Sequence, residues 1–182
     1  MAVEPIHRRA DTPLLRVAPF QDHWAGLVAS WVRDDEELYE LAPRLLPPMT
    51  AAKVRWWQAP GRRPRLLYEA ERANPIGYGE LNLLGAADRE YWLGHIIIDP
   101  AERGRGLGVE LVRQLIGLAF DELGARIVSL VVFPSNAAAV ACYRAAGLRS
   151  IGLESHYFKA RARRCRLLRM ALDRDEYEAA QS

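Results

Sequence analysis

The sequence predicts a mixed α/β fold, a central mixed sheet of about seven strands with helices on both faces. Three observations carry that expectation. Ile96-Ile97-Ile98 is a β-branched run that reads as a buried strand, and Asp99-Pro100 ends it because proline cannot donate to a ladder. Arg103-Gly104-Arg105-Gly106-Leu107-Gly108 then turns the chain into a helix on which Leu111, Val112, Leu115, Ile116, Ala119 and Leu123 recur at helical spacing. Ile127 to Phe133 repeats the pattern: a buried strand stopped by Pro134, then a helix opened by Ser135-Asn136 and closed by Gly147.

The other elements follow in the order βααα-βββ-α-β-α-ββ. Leu14, Leu15 and Val17 form a first strand closed by Pro19. Phe20 to Val32 reads as a helix with Trp24, Leu27, Val28 and Trp31 on one face. Asp34-Asp35-Glu36-Glu37 opens a second, short helix carrying Leu38 and Leu41, and reads as a solvated acidic face. Pro43, Pro47 and Pro48 break the pattern, and Thr50 caps a third helix reaching Trp56-Trp57, which are assigned to the core rather than to a cleft wall. Gly61 to Pro64 is a turn. Strands begin at Leu66 and at Ile76, separated by the turn Asn74-Pro75; Gly85 to Asp88 turns again, and Glu90 to Ile98 runs into the glycine loop. Gly124 is placed to end the helix after that loop. Leu148 to Leu153 and Leu167 to Leu172 complete the sheet. Arg161-Ala162-Arg163-Arg164-Cys165-Arg166 between them reads as a solvated hairpin edge rather than a contact for RNA or an adenosine phosphate.

Composition sets the bounds. The 182 residues, half of them hydrophobic, suit a single domain over residues 1–182, with residues 1–12 as a loose lead-in. A net charge of +2 from 25 basic and 23 acidic residues does not announce a nucleic-acid binder. The sequence carries no apolar run of membrane-spanning length and no signal-peptide pattern, so a soluble, cytoplasmic protein is expected. Cys142 and Cys165 make neither a metal pattern nor a disulfide framework, and no metal is expected.

Strand, glycine turn and helix together form a device for holding phosphate. The first helical amides lack intrahelical partners, the helix dipole favours an anion there, and missing Cβ atoms let a ligand approach the backbone. A Walker loop would need Lys and then Ser or Thr where Val109-Glu110 stand, and a dinucleotide fingerprint would need a small residue in place of Val109. The loop Arg103–Gly108 instead resembles the coenzyme A pyrophosphate loop of the GNAT superfamily, the Gcn-type N-acetyltransferases. Asn136, Ala139, Tyr143 and Gly147 have the spacing seen after that superfamily's fifth strand, with Leu148 replacing the usual Phe. The resemblance covers roughly Ile76 to Leu172. The Trp-rich first third resembles, more weakly, the bacterial branch of ribosomal-protein and polyamine acetyltransferases.

The resemblance implies a largely antiparallel sheet with a splay between its fourth and fifth strands. Pantetheine would lie in that gap against the backbone of Ile96, Ile97 and Ile98. The pyrophosphate would sit on the amides of Gly104, Arg105, Gly106, Leu107 and Gly108, with Arg103 and Arg105 adding charge, and Asn136 and Tyr143 would complete the acetyl-CoA site. A primary amine would attack the acetyl thioester directly in a ternary complex. The amine must first lose a proton, since a lysine-like ammonium holds it up to a pKa of about 10. The developing oxyanion needs a donor, expected from a strand amide, and the departing thiolate needs a proton, expected from Tyr143. A covalent route through Cys142 is disfavoured, because adjacent helical residues point about 100° apart.

The base departs from the pattern. Many relatives carry a carboxylate or histidine on the fourth strand where this chain has Trp92. Strand alternation points His95 to the face opposite Trp92 and Ile96, which makes it a packing residue. Glu90 shares the parity of Trp92 but lies near the strand's start. Glu80, between Gly79 and Leu81, is either a surface strand residue or a carboxyl whose pKa apolar neighbours raise, in which case it relays the acceptor's proton through a water. The expected function is an acetyl-CoA-dependent N-acetyltransferase acting on a small amine or a protein N-terminus; the alternative is a silent GNAT-like module that binds acyl-CoA for regulation. A homodimer stays open, and membrane and nucleic-acid partners are not expected.

Overall fold

The computed structural model describes residues 14–181, so the lead-in expected over residues 1–12 lies outside the described residues. Seven strands form one sheet in the order β1-β2-β3-β4-β5-β7-β6. β1 (Leu15–Pro19), β2 (Arg62–Glu69), β3 (Gly77–Gly85) and β4 (Glu90–Ile98) are successively antiparallel. β5 (Ile127–Val132) runs parallel to β4, and β7 (Arg163–Asp173) lies antiparallel between β5 and β6 (Arg149–Phe158). The sheet is therefore mixed and largely antiparallel as expected, and its parallel pair is β4–β5, the two strands between which a splay was expected.

Strand alternation divides the core in two. Leu66, Tyr68, Tyr78 and Ile97 face one way and pack against Val28 and Trp31 around α1 (Ala25–Ser30), Leu38 of α2 (Asp35–Leu41), and Val54 and Trp57 around α3 (Ala51–Trp56). Leu67, Leu81, Leu93, Ile98, Val128 and Leu130 face the other way, onto Leu111, Val112, Leu115 and Ile116 of α4 (Leu107–Gly117). Each such side chain contributes about 1.5–3 kcal/mol by leaving water.

The helix starts are the ones the sequence signals. Asp34 accepts from the amide of Glu37 at 2.8 Å, Thr50 from Lys53 at 3.3 Å, and Asn136 from Ala139 at 3.0 Å, opening α5 (Ala137–Ala145). Several boundaries differ. The helix expected from Phe20 begins as a 3₁₀ turn at Asp22–Trp24, with regular helix only from Ala25. β2 starts at Arg62, because Arg62 to Pro64 pair with Asn82 to Glu80 where a turn was expected. α4 stops at Gly117 and widens into a π-type turn over Leu118–Glu122 before Gly124 ends it at φ +65°. β6 and β7 extend through the basic run to a turn at Ala162, since the exposed half of β6 carries no apolar alternation to mark it. α6 (Arg174–Ala179) was not expected; its signal was Asp173-x-x-Glu176, a capping box with both hydrogen bonds formed.

The two adjacent tryptophans split: Trp57 is buried at 1% exposure, whereas Trp56 is 64% exposed. Both cysteines are free thiols. Among the described residues no helix is long and apolar enough to cross a membrane.

Candidate functional site

β4 and β5 pair only through Glu90↔Ile127, Tyr91↔Val128 and Trp92↔Ser129. Beyond Trp92, β4 continues to Ile98 paired only with β3, and β5 continues to Val132 paired only with β7. The strands splay there, and the backbone edge of β4 through Ile96, Ile97 and Ile98 faces β5 without a ladder. Backbone polar groups demand partners, and on this edge no β5 strand supplies them.

The glycine loop meets the end of that edge. Gly104 and Gly106 adopt φ of +79° and +77°, and a Cβ at either would enter open space, which leaves the approach to the first amides of α4 clear. Gly108 has a packing reason instead: a Cβ there would come 3.3 Å from the Cys142 sulfur. The two arginines are committed to the protein's own carboxylates. Arg103 Nη1 lies 2.6 Å from Glu37, and its other nitrogens donate to the carbonyls of Ile98 and Trp31. Arg105 pairs with Glu69 at 2.6 Å and with Glu102, which also holds Arg72.

On α5, Asn136 caps the helix and donates through Nδ2 to Glu40 of α2 at 2.8 Å, joining the two elements. Tyr143 is half-buried against the α4 core, and burial, helped by neighbouring Cys142, raises its hydroxyl's pKa, so it stays protonated. Burial pushes the Cys142 thiol up to about 11.

Glu80 corrects two expectations. It is fully buried, not a surface residue, and its carboxyl is lowered, not raised. Burial alone would raise it, but the hydrogen bond and charge interaction with His95, then hydrogen bonds from Asn82 and Tyr78, outweigh that cost. Tyr78 Oη donates to Oε1 at 2.7 Å, Asn82 Nδ2 to Oε2 at 3.0 Å, and His95 Nδ1 meets Oε1 at 2.8 Å, with Arg62 4.0 Å from Oε2.

His95 corrects a third. The register passes from Tyr78↔Ile97 to Glu80↔Gly94, so Gly79 alone opposes His95 and Ile96. That β-bulge breaks the alternation. His95 joins Trp92 and Gly94 on the face of Glu80, while Ile96 keeps the α4 face, where its Cδ1 would be 2.6 Å from a Cβ on Gly79. The His95 backbone sits at φ +48°, a region costing a non-glycine residue about 1–3 kcal/mol and held only where the surroundings enforce it. Its ring stacks on Trp57 with centroids 3.9 Å apart and planes 8° apart. Sequence reasoning assigned His95 to packing and did not bring His95, Tyr78 and Asn82 together around Glu80. The available signals were Gly94 inside a strand, which marks a bulge, and the shared parity of residues 78, 80 and 82. Glu90, the other carboxylate considered, is tied to Ser129 and Arg169, each at 2.5 Å.

Past the end of β5, a cleft of about 590 Å³ is lined by Asp35, Glu36, Tyr39 and Glu40 of α2, by Phe133 and Ser135, and by Arg161 and Arg163 of the β6–β7 turn. Asp34, Asp35 and Glu36 are exposed, as a solvated acidic face requires, and Asp35 and Glu36 also line this open cleft; Glu37 is half-buried against Arg103. Burial, then the like charges of Glu36, Glu37 and Asp34, raises the Glu40 carboxyl. Arg161 lies over the Tyr39 ring at 4.6 Å, so part of the basic run is packed rather than solvated.

Residues 27–148 match the acetyltransferase (GNAT) family. Mycobacterium tuberculosis N-alpha-acetyltransferase RimI is 36% identical over 85 residues, which take in 46% of this chain and 51% of that protein. A Klebsiella pneumoniae aminoglycoside N(6')-acetyltransferase type 1 is 26% identical over an alignment of 129 positions, with 54% of this chain and 64% of that enzyme covered. The chain therefore spans less than two thirds of either relative. In fold it is similar to aminoglycoside acetyltransferase AAC(6')-Ib solved with coenzyme A (TM-score 0.73, 20% identity, 93% of this chain and 100% of that one). It is similar also to Vibrio cholerae spermidine N-acetyltransferase solved with CoA and spermine (TM-score 0.75, 19% identity, 90% and 98% covered).

Proposed function

We propose that this chain, which belongs to the acetyltransferase (GNAT) family, moves an acetyl group from acetyl-coenzyme A to a primary amine by direct attack in a ternary complex. The observation that carries the reading is the junction of the β4–β5 splay with the glycine loop. The residues fit the cofactor by shape: the open edge of Ile96, Ile97 and Ile98 suits the amides of pantetheine, and the amides of Gly104 to Gly108, uncrowded at both left-handed glycines, suit a pyrophosphate. Arg103 and Arg105, held by carboxylates, serve chiefly to fix the loop, and Asn136 serves the site by holding the start of α5.

Acetyl-CoA supplies the activated acetyl thioester. The chain's own groups then have three tasks. A β4 amide at the splay donates to the developing oxyanion. Tyr143, kept protonated by burial, donates a hydrogen bond to the departing sulfur. Glu80 serves the amine's deprotonation through a neighbour, because it is itself sealed from solvent. The acidic wall of Asp35, Glu36 and Glu40 suits a cationic amine, and the relatives' own acceptors, aminoglycosides and spermidine, are of that kind. The test is a panel of amines, including peptides with free N-termini and polyamines, assayed by thiol release from acetyl-CoA. Release that depends on both the protein and an amine is expected. Binding of acetyl-CoA without transfer to any amine overturns the reading in favour of a silent binding module.

A further inference from the structure

We propose, on the acetyl-transfer reading above, that His95 accepts the proton of the acceptor amine and that Glu80 is the residue that positions His95 to do so. Glu80 cannot take the proton itself. It has no exposure, and its oxygens are engaged by Tyr78, His95 and Asn82, with Arg62 nearby. An ionised carboxylate only accepts hydrogen bonds, so the hydrogen between Glu80 and His95 belongs to Nδ1. The neutral ring then carries its lone pair on Nε2, which has no hydrogen-bond partner among the described residues. The His95 side chain keeps 21% exposure where Glu80 has none, so of the two it is the one that solvent and an acceptor reach.

The placement is specific. The bulge brings His95 onto this face just past Trp92, where β4 leaves β5, and immediately before the edge Ile96–Ile98. Trp57 stacks on the ring and fixes its plane, while Glu80 fixes its rotation. The titratable and charged groups facing His95 are Glu80 and Tyr78 from β3 and Arg62 from β2; the α3 side presents Trp57 and Gln58, which carry no charge. In the step, an ammonium N–H bond breaks and an Nε2–H bond forms. The imidazolium so made is paired with the Glu80 carboxylate, and the amine is left with the lone pair it needs.

The test uses the full chain, acetyl-CoA, and an amine that the panel identifies. Rates are measured across the range where imidazole titrates, about pH 5 to 8. His95→Gln should lower kcat by about 10²- to 10⁴-fold and abolish the acid limb of the profile, while acetyl-CoA still raises Tm. Glu80→Gln should lower kcat and change the pH profile, because the carboxylate that holds Nδ1–H and pairs with the imidazolium is gone. Independently of any substitution, nitrogen NMR of the parent protein should show His95 as the Nδ1–H tautomer above its titration; an Nε2–H tautomer overturns the assignment even if the variants fail to fold. Parent-like kcat and pH limb in folded His95→Gln overturn it while leaving the transfer reading intact. A parent protein that binds acetyl-CoA and acetylates nothing overturns both.

Discussion

Arg103 of the glycine loop lies 2.6 Å from Glu37 of α2, and the same guanidinium donates to the carbonyls of Ile98 and Trp31 at 3.0 and 3.2 Å. One side chain thus ties the glycine loop to the end of β4 and to the α1–α2 connection. Arg103→Ala leaves all three acceptors without this donor and should destabilise the fold by about 1–3 kcal/mol. For a chain of this size that is a fall in Tm of roughly 2–4 °C per kcal/mol, read by thermal unfolding. Arg103→Lys keeps the charge but not the fork and should recover only part of the loss. An unchanged Tm in the alanine variant would show that the network does not hold the loop.

Gly106 separates backbone strain from charge. At φ +77° any side chain is strained by about 1–2 kcal/mol, but a Cβ meets nothing. Gly106→Ala should therefore lose a little stability and keep acetyl-CoA binding. Gly106→Glu, which adds a carboxylate where pyrophosphate would lie, should abolish binding in a folded protein. The readout is the ligand-induced rise in Tm, worth roughly 2.7 kcal/mol at about 100 times the dissociation constant. ATP should raise the parent's Tm far less. Normal binding by folded Gly106→Glu would remove the loop from the cofactor site.

These residues were legible because their signals are local. Gly104 to Gly108 carry their conformation in their composition, and Ile96 to Ile98 and Ile127 to Val132 carry burial in theirs. What is non-local was misread. His95 lies opposite a strand whose register slips by one residue, and a slip reverses every inference from alternation. Glu80 has apolar sequence neighbours, yet its charge is set by Tyr78, Asn82 and His95, brought in by the pleat and the bulge. Arg103 and Arg105 read as free cations because Glu37 and Glu69 lie far away in sequence. The match to the family over residues 27–148 reaches into α1 to α3, where no short motif was readable.

Tyr143 tests the leaving-group side. Its hydroxyl is raised by burial and then by Cys142, so it is a weaker acid than a thiol, which ordinarily titrates near about 8.5. On the proposed reading it would therefore donate a hydrogen bond to the sulfur rather than give up its proton outright. Tyr143→Phe should lower kcat by about 10²- to 10³-fold, the loss expected for removing one transition-state hydrogen-bond donor, and leave acetyl-CoA affinity nearly unchanged. Affinity falling in step with kcat would assign the hydroxyl to binding. An unchanged kcat would assign it to packing.

Cys142 tests direct transfer against a covalent detour. Burial pushes its thiol up to about 11, partly offset by Arg113. At neutral pH only roughly one molecule in 10⁴ would carry the thiolate that a covalent route needs. Cys142→Ala should thus retain parent-like transfer, and initial-rate patterns should be sequential rather than ping-pong. The same shift gives a stability signature. Because the folded value lies above the ordinary 9.0, the fold favours the neutral thiol; that stabilisation is complete below about pH 9 and is lost as pH rises through about 11. Urea unfolding across that window should show a steeper alkaline loss in the parent than in Cys142→Ala, where only groups such as the raised Tyr143 and Tyr78 hydroxyls remain to contribute. Iodoacetamide should label Cys142 slowly at pH 8 compared with a free thiol. Rapid labelling at pH 8, or loss of transfer in folded Cys142→Ala, would restore the cysteine as a candidate nucleophile.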